Sequence, residues 1–202
     1  MTATGTRTHD AWLVDLDGTL YHPLPVKLAM AAELALTGWG AVAVVRRFRK
    51  EHEAVRGEGA RDPFRAQLER TAAALGHDLA RVESVIDAWM HARPGKYVRW
   101  FRRRPLLAAI AAFRAAGGRT ALVSDYPARK KLAALGADAL FDAVVAAGEP
   151  GGPERLKPDP DGYLRAAERL GVPAGRCLVV GDREDADGAA ARAAGMDFRR
   201  VG

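Results

Sequence analysis

Two carboxylates two positions apart, Asp15 and Asp17, close the apolar run Ala11-Trp12-Leu13-Val14 and are followed at once by Gly18-Thr19. An apolar run of this kind reads as a buried strand whose polar end emerges at a sheet edge. Side chains alternate along an extended chain, so Asp15 and Asp17 share a face until Gly18 bends it. Carboxylates this close raise one another's pKa unless a cation lies between them. An oxygen-only donor set of that type suits Mg²⁺.

The same device, an apolar run ending in a polar residue, recurs twice: Val123-Ser124-Asp125 and Val180-Gly181-Asp182, the latter continuing to Asp187. Lys157 stands between them in a glycine- and proline-rich loop. Taken singly, each piece is ordinary: Ser124 a turn residue, Lys157 a loop lysine, Asp182 to Asp187 an acidic helix start. Together they supply what a phosphate ester requires, namely a nucleophile, a proton donor for the leaving oxygen, and positive charge around the phosphoryl oxygens. Asp15 is placed to attack phosphorus and carry the phosphoryl group. Asp17 is placed to protonate the leaving oxygen and later deprotonate water. Ser124, with the backbone around Gly18, Thr19 and Asp125, forms the expected phosphate-binding set, and the Lys157 ammonium joins it while keeping Asp15 ionised. Asp15, the backbone carbonyl of Asp17, and Asp182 are the expected Mg²⁺ ligands.

These residues need a scaffold that brings them to one edge. After Tyr21 the pattern is helical for about eighty residues, with helices expected at 26–36, 41–55, 63–74 and from Asp78 to just before Pro94-Gly95. Asp62-Pro63 is a cap followed by proline at the first helical position. From Pro105 the pattern alternates: helix 106–116, strand 120–123, helix 128–135, strand 141–146, helix 161–170, strand 177–180, helix 186–194 and strand 198–201. Alternation of this kind predicts an α/β fold, a Rossmann-like parallel sheet with helices on both faces, interrupted by an all-helical insert. Ligands in such sheets bind beyond the carboxyl ends of the strands, where Asp15, Asp17, Ser124, Lys157 and Asp182 then gather. The expected division is a core of residues 1–21 and 105–202 and an inserted unit of residues 22–104.

With 202 residues, 49% of them hydrophobic, the chain can bury a substantial core. Residues 1–10 lack the apolar stretch of a secretory signal. The most apolar piece, residues 34–45, is too short to span a membrane, although the basic residues after it keep a membrane-surface helix in view. Cys177 is the single cysteine, which excludes an internal disulfide and fits a reducing cytoplasm. The net charge of +6 is unevenly spread: residues 22–104 hold 16 Lys and Arg against 9 Asp and Glu, the remainder 15 against 16. A basic insert over an acidic site suits an anionic substrate. Arg46 to Lys50 and Arg99 to Arg104 are also explicable as solvated helix faces.

Asp15-Leu16-Asp17-Gly18-Thr19, Val123-Ser124-Asp125, Leu156-Lys157-Pro158-Asp159 and Val180-Gly181-Asp182 through Asp187-Gly188-Ala189 resemble, in order, the four motifs of the haloacid dehalogenase superfamily. The resemblance implies a nucleophile at Asp15, an acid/base at Asp17, a phosphate-binding hydroxyl at Ser124, the third-motif lysine at Lys157 and metal carboxylates at Asp182 and Asp187. It also implies that the insert is a mobile cap. Asp125 departs from the pattern, since many members carry Asn there. The presence of Asp17 speaks against the dehalogenase branch, and no cap lysine (Lys27, Lys50, Lys96) is marked for phosphonate cleavage. The expected protein is a cytoplasmic, Mg²⁺-dependent phosphatase acting on a small phosphorylated metabolite, a monomer or homodimer with no nucleic-acid partner and no membrane span. The competing readings are a phosphomutase and a non-catalytic module binding anions or nucleic acid.

Overall fold

The structure is a computed structural model that describes residues 9–202. Five strands, β1 (Ala11–Asp15), β2 (Arg119–Ser124), β3 (Ala143–Ala146), β4 (Cys177–Gly181) and β5 (Asp197–Arg200), form one parallel sheet in the order β3-β2-β1-β4-β5. β1 lies in the middle, its Asp15 in register with Val123 of β2. The order reverses at β1, so the crevice at the carboxyl ends of β1, β2 and β4 is the switch point where ligands bind.

The strand sequences are near-continuous apolar runs because both faces are covered. On one face Val14, Leu122 and Val180 pack with Ile110 of α6 (Arg104–Ala115) and with Leu132 and Leu135 of α7 (Arg129–Leu135). On the other, Leu13, Val123 and Val179 meet Tyr163 and Ala166 of α8 (Asp161–Leu170) and Ala190 of α9 (Ala189–Ala193).

The insert between β1 and β2 is helical throughout: α1 (Pro23–Thr37), α2 (Trp39–Glu58), α3 (Pro63–Leu75), α4 (Leu79–Ile86), a π-helical segment (Asp87–Ala92) and α5 (Gly95–Trp100). Asp62 caps α3 by accepting from the Arg65 N–H at 3.2 Å, with Pro63 in the first turn where its missing donor costs nothing. Val44, Phe48, Leu68, Val82 and Ile86 close a core of the insert's own, separate from the two sheet faces. Its two connections to the sheet run antiparallel side by side: Tyr21 bridges Arg102, His22 N–H donates to Phe101 O at 2.8 Å, and Arg103 N–H donates to Leu20 O at 2.8 Å.

The structure differs from expectation in particulars. Helix α1 begins at Pro23, which serves as its first residue instead of breaking the chain, and only Gly38 separates it from α2. Residues Gly95–Trp100 form a fifth insert helix where Pro94-Gly95 suggested a stop. Gly95 is needed there for contact, since a Cβ on it would lie 3.1 Å from Ala134 of α7. The last helix opens with a π-helical turn at Glu184–Gly188.

Candidate active site

Asp15 ends the central strand and is buried, while Lys157 reaches it from the loop before α8. The Lys157 ammonium, 5% exposed, lies 2.5 Å from Asp15 Oδ1 and 2.8 Å from Asp187 Oδ1, and donates to Val123 O at 3.3 Å. Asp187 is fully engaged: Tyr163 donates to Oδ1 at 2.7 Å and the Arg183 N–H to Oδ2 at 3.1 Å. Asp15 has Lys157 alone, and its Oδ2 is buried with no hydrogen-bond partner. That asymmetry separates the two carboxyls. Burial pushes Asp15 up to about 8 against the pull of Lys157, with smaller upward contributions from the charges of Asp187 and Asp17. Burial would also raise Asp187, but Lys157 and the hydrogen bonds hold it below the usual carboxylate range.

Asp182, at the end of β4, is half-buried and raised by burial and by the charge of Asp187. Oxygens of Asp15, Asp182 and Asp187 lie within 4.8 Å of one another. Gly18 makes this approach possible. Its φ is +97°, and a Cβ there would stand 2.1 Å from Asp182 Oδ2. A bare buried carboxylate oxygen, a second acid drawn against it by a glycine, and an all-oxygen donor set fit a Mg²⁺ ion.

Asp17 lines the smaller of two chambers and is held from α7. Lys131 of α7, 5% exposed, donates to its Oδ1 at 2.6 Å and Oδ2 at 2.8 Å, and Tyr21 OH donates to Oδ1. Burial would raise Asp17, but Lys131 and the two donors hold it below the ordinary range, so it rests ionised. Asp17 stands where two chambers meet. The smaller, of about 90 Å³, is lined by Asp15, Ser124, Lys157 and Asp187. The larger, of about 380 Å³, mixes apolar walls (Val26, Met30, Trp89) with Lys27, Arg49 and Lys131.

The other three expected phosphate-binding residues present no side-chain donor to the smaller chamber, although Asp125 lines it. Thr19 lies outside both chambers, with its N–H turned to Leu16 O at 3.3 Å and its hydroxyl buried without a partner. Gly18 acts as a spacer for Asp182. Asp125 accepts from the Lys157 N–H at 3.1 Å and from Arg56 at 3.3 Å, and as a carboxylate it offers a phosphate no donor. Ser124 lines the smaller chamber, its Oγ accepting from the Tyr126 N–H at 3.2 Å, which leaves the hydroxyl proton available to a ligand.

Lys131, Tyr21, His52 and Arg56 also belong to the site, although sequence reasoning did not single them out. For Tyr21 a signal existed, since it ends the same motif four residues after Asp17. Arg129-Lys130-Lys131 has the look of a solvated helix start, and only the third turns inward.

A buried carboxylate beside a lysine, two further acids within reach of it, and a polar chamber at a parallel sheet's switch point form a candidate catalytic site. The family model for haloacid dehalogenase-like hydrolases matches residues 9–195, and the chain belongs to that family. It is 41% identical over 100 residues to the fructose-1-phosphate phosphatase YqaB of Escherichia coli (strain K12), a match spanning 48% of this chain and 44% of that relative, less than half its length. The L-2-haloacid dehalogenase of Xanthobacter autotrophicus with covalently bound chloropropionic acid superposes with a TM-score of 0.66 at 21% identity, over 96% of this chain and 77% of that one. A phosphatase from Thermococcus onnurineus gives 0.63 at 21% identity over 96% and 86%. A β-phosphoglucomutase from Clostridium difficile gives 0.62 at 18% identity over 96% and 85%. At these identities the solved structures bear on the fold alone. Among the described residues no helix is long and apolar enough to cross a membrane.

Proposed function

We propose that the chain is a Mg²⁺-dependent phosphatase that hydrolyses a small phosphorylated metabolite through an aspartyl-phosphate on Asp15. The observation that carries this reading is the bare, buried Oδ2 of Asp15 beside Lys157 in the lining of the smaller chamber. In the first half-reaction an Asp15 oxygen forms a bond to phosphorus as the bond to the leaving oxygen breaks. Asp17, at the mouth of the chamber, passes that oxygen a proton. An incoming phosphate dianion works against Lys131 and raises Asp17 toward the protonated form this step needs. In the second half water attacks the same phosphorus, Asp17 takes its proton, and Asp15 is released with inorganic phosphate. Lys157 and the Ser124 hydroxyl hold the phosphoryl oxygens.

Asp15, the Asp17 carbonyl and Asp182 would hold Mg²⁺, with Asp187 behind them fixing Lys157. When bound, the ion supplies positive charge that keeps Asp15 ionised and offsets its repulsion of an anionic substrate. Residues 22–104 form a cap over a core of residues 1–21 and 105–202, and the larger chamber beneath it takes the leaving group. The acid at Asp17 supports phosphate esters over haloacids, whose displacement needs no such proton donor. The match to a fructose-1-phosphate phosphatase makes sugar phosphates the first substrates to assay. Asp15→Asn should abolish phosphate release from a panel of sugar phosphates with Mg²⁺ present. Turnover equal to that of the wild type would end the reading.

A further inference from the structure

Within the apolar core of the insert runs a chain of buried polar groups with a single end point. Gln67 of α3, 1% exposed, donates through Nε2 to Phe48 O at 2.7 Å. Its Oε1 lies 3.4 Å from Nδ1 of His52 on α2, itself 3% exposed. His52 Nε2 in turn lies 3.1 Å from the Arg56 guanidinium. Burial holds His52 below its ordinary range, so the ring is neutral. Its Nδ1 proton is committed to Gln67, and the Nε2 lone pair accepts from Arg56. The imidazole also stacks on Tyr126, with ring centroids 4.4 Å apart.

Burying an amide and an imidazole costs free energy that their hydrogen bonds must offset, and the last of those bonds holds one side chain in place. That side chain is Arg56, which with His52 lines the smaller chamber from the insert. It touches Asp125 there at 3.3 Å, with Glu53 at the same distance behind it, and its Nε is buried without a partner. Asp125 is also the residue whose carboxylate no other part of the chemistry uses.

We propose that Arg56 binds the transferring phosphoryl group itself, delivered into its chamber by the insert, and that Asp125 holds the guanidinium until a phosphate oxygen replaces it. A planar guanidinium can keep His52 and exchange Asp125 for an oxyanion without moving its stem. Substrate is then gripped from both units, by Lys157 and Ser124 on the sheet and by Arg56 on the insert.

This inference rests on the smaller chamber being the phosphate site, and its test reads binding, not turnover. Orthophosphate affinity is measured by calorimetry in the presence of Mg²⁺ for the wild type, Arg56→Ala, Asp125→Asn and the double variant. Arg56→Ala should weaken orthophosphate by about tenfold or more, as the loss of a charge-assisted bond does. Asp125→Asn keeps an acceptor for the Lys157 N–H and should tighten binding, and the gain should vanish when Arg56 is absent. Unchanged affinity in Arg56→Ala overturns the proposal. So does an equal gain from Asp125→Asn in the Arg56→Ala background, because Asp125 would then act on phosphate directly. If no protein, wild type included, binds orthophosphate, the phosphatase reading fails with it. If Asp15→Asn retains turnover while Arg56→Ala still weakens orthophosphate, only the catalytic scheme falls.

Discussion

Replacing Lys131 by methionine isolates one electrostatic contact at nearly constant volume, so the packing of α7 is kept. The wild-type ammonium touches both oxygens of Asp17, at 2.6 and 2.8 Å, with side-chain exposures of 7% for Lys131 and 29% for Asp17. Breaking a fully buried pair by removing one partner costs about 3–5 kcal/mol. Asp17 keeps Tyr21 and partial access to water, so screening reduces this to about 1–2 kcal/mol. At roughly 2–4 °C per kcal/mol for a chain of this size, the melting temperature should fall by about 2–8 °C. The kinetic consequence has a definite sign. Burial tends to raise Asp17 and Lys131 is the largest influence opposing it, so without Lys131 the carboxyl rises. The ionised form that deprotonates water is then lost at higher pH. The acid limb of kcat against pH, measured with p-nitrophenyl phosphate, should therefore move upward by about one unit or more, since each unit corresponds to about 1.4 kcal/mol. An acid limb that stays in place while the protein remains folded would refute the role given to Lys131.

Gly18→Ala forces a side chain into a left-handed backbone and sets its Cβ 2.1 Å from Asp182 Oδ2. A stability loss of about 1–3 kcal/mol should follow, and since Asp182 can yield only by swinging from Asp15, Mg²⁺ should bind at least tenfold more weakly in a calorimetric titration. His91 is 4% exposed and held down to about 4, chiefly by burial and then by Lys131. The unfolded chain therefore takes up this proton first as pH falls below about 6.5. Stability should decline between pH 6.5 and 4 by up to about 3 kcal/mol, and denaturant melts of His91→Phe should show a shallower decline over the same interval.

How much of this was legible in the sequence depended on whether a residue's role is local. The Asp15 to Thr19 stretch declares itself because an apolar strand runs straight into paired acids, and Ser124 and Asp182 repeat the signal at strand ends. Parallel order and helical insertion follow from the same alternation. Helix α5 was missed because Pro94-Gly95 is a stop by local rules, whereas here the glycine permits close packing on α7. The inward fold of Thr19 is not legible either, because the turn after Asp17 sends its N–H to Leu16 O and buries its hydroxyl. Lys131, His52, Gln67 and Arg56 could not be ranked above their many polar neighbours on α2, α3 and α7. Which helix face meets the strand ends depends on packing between elements distant in sequence, and on no spacing within one element.

The paired neck at Tyr21 and Arg102 ties geometry to timing. Tyr21 is at once a rung of that neck and a hydrogen-bond donor to Asp17. Any swing of the helical unit about these two tethers would twist the rung and carry the phenol with it. On the function proposed above, lid position and the aim of the acid would then be set through one residue, Tyr21.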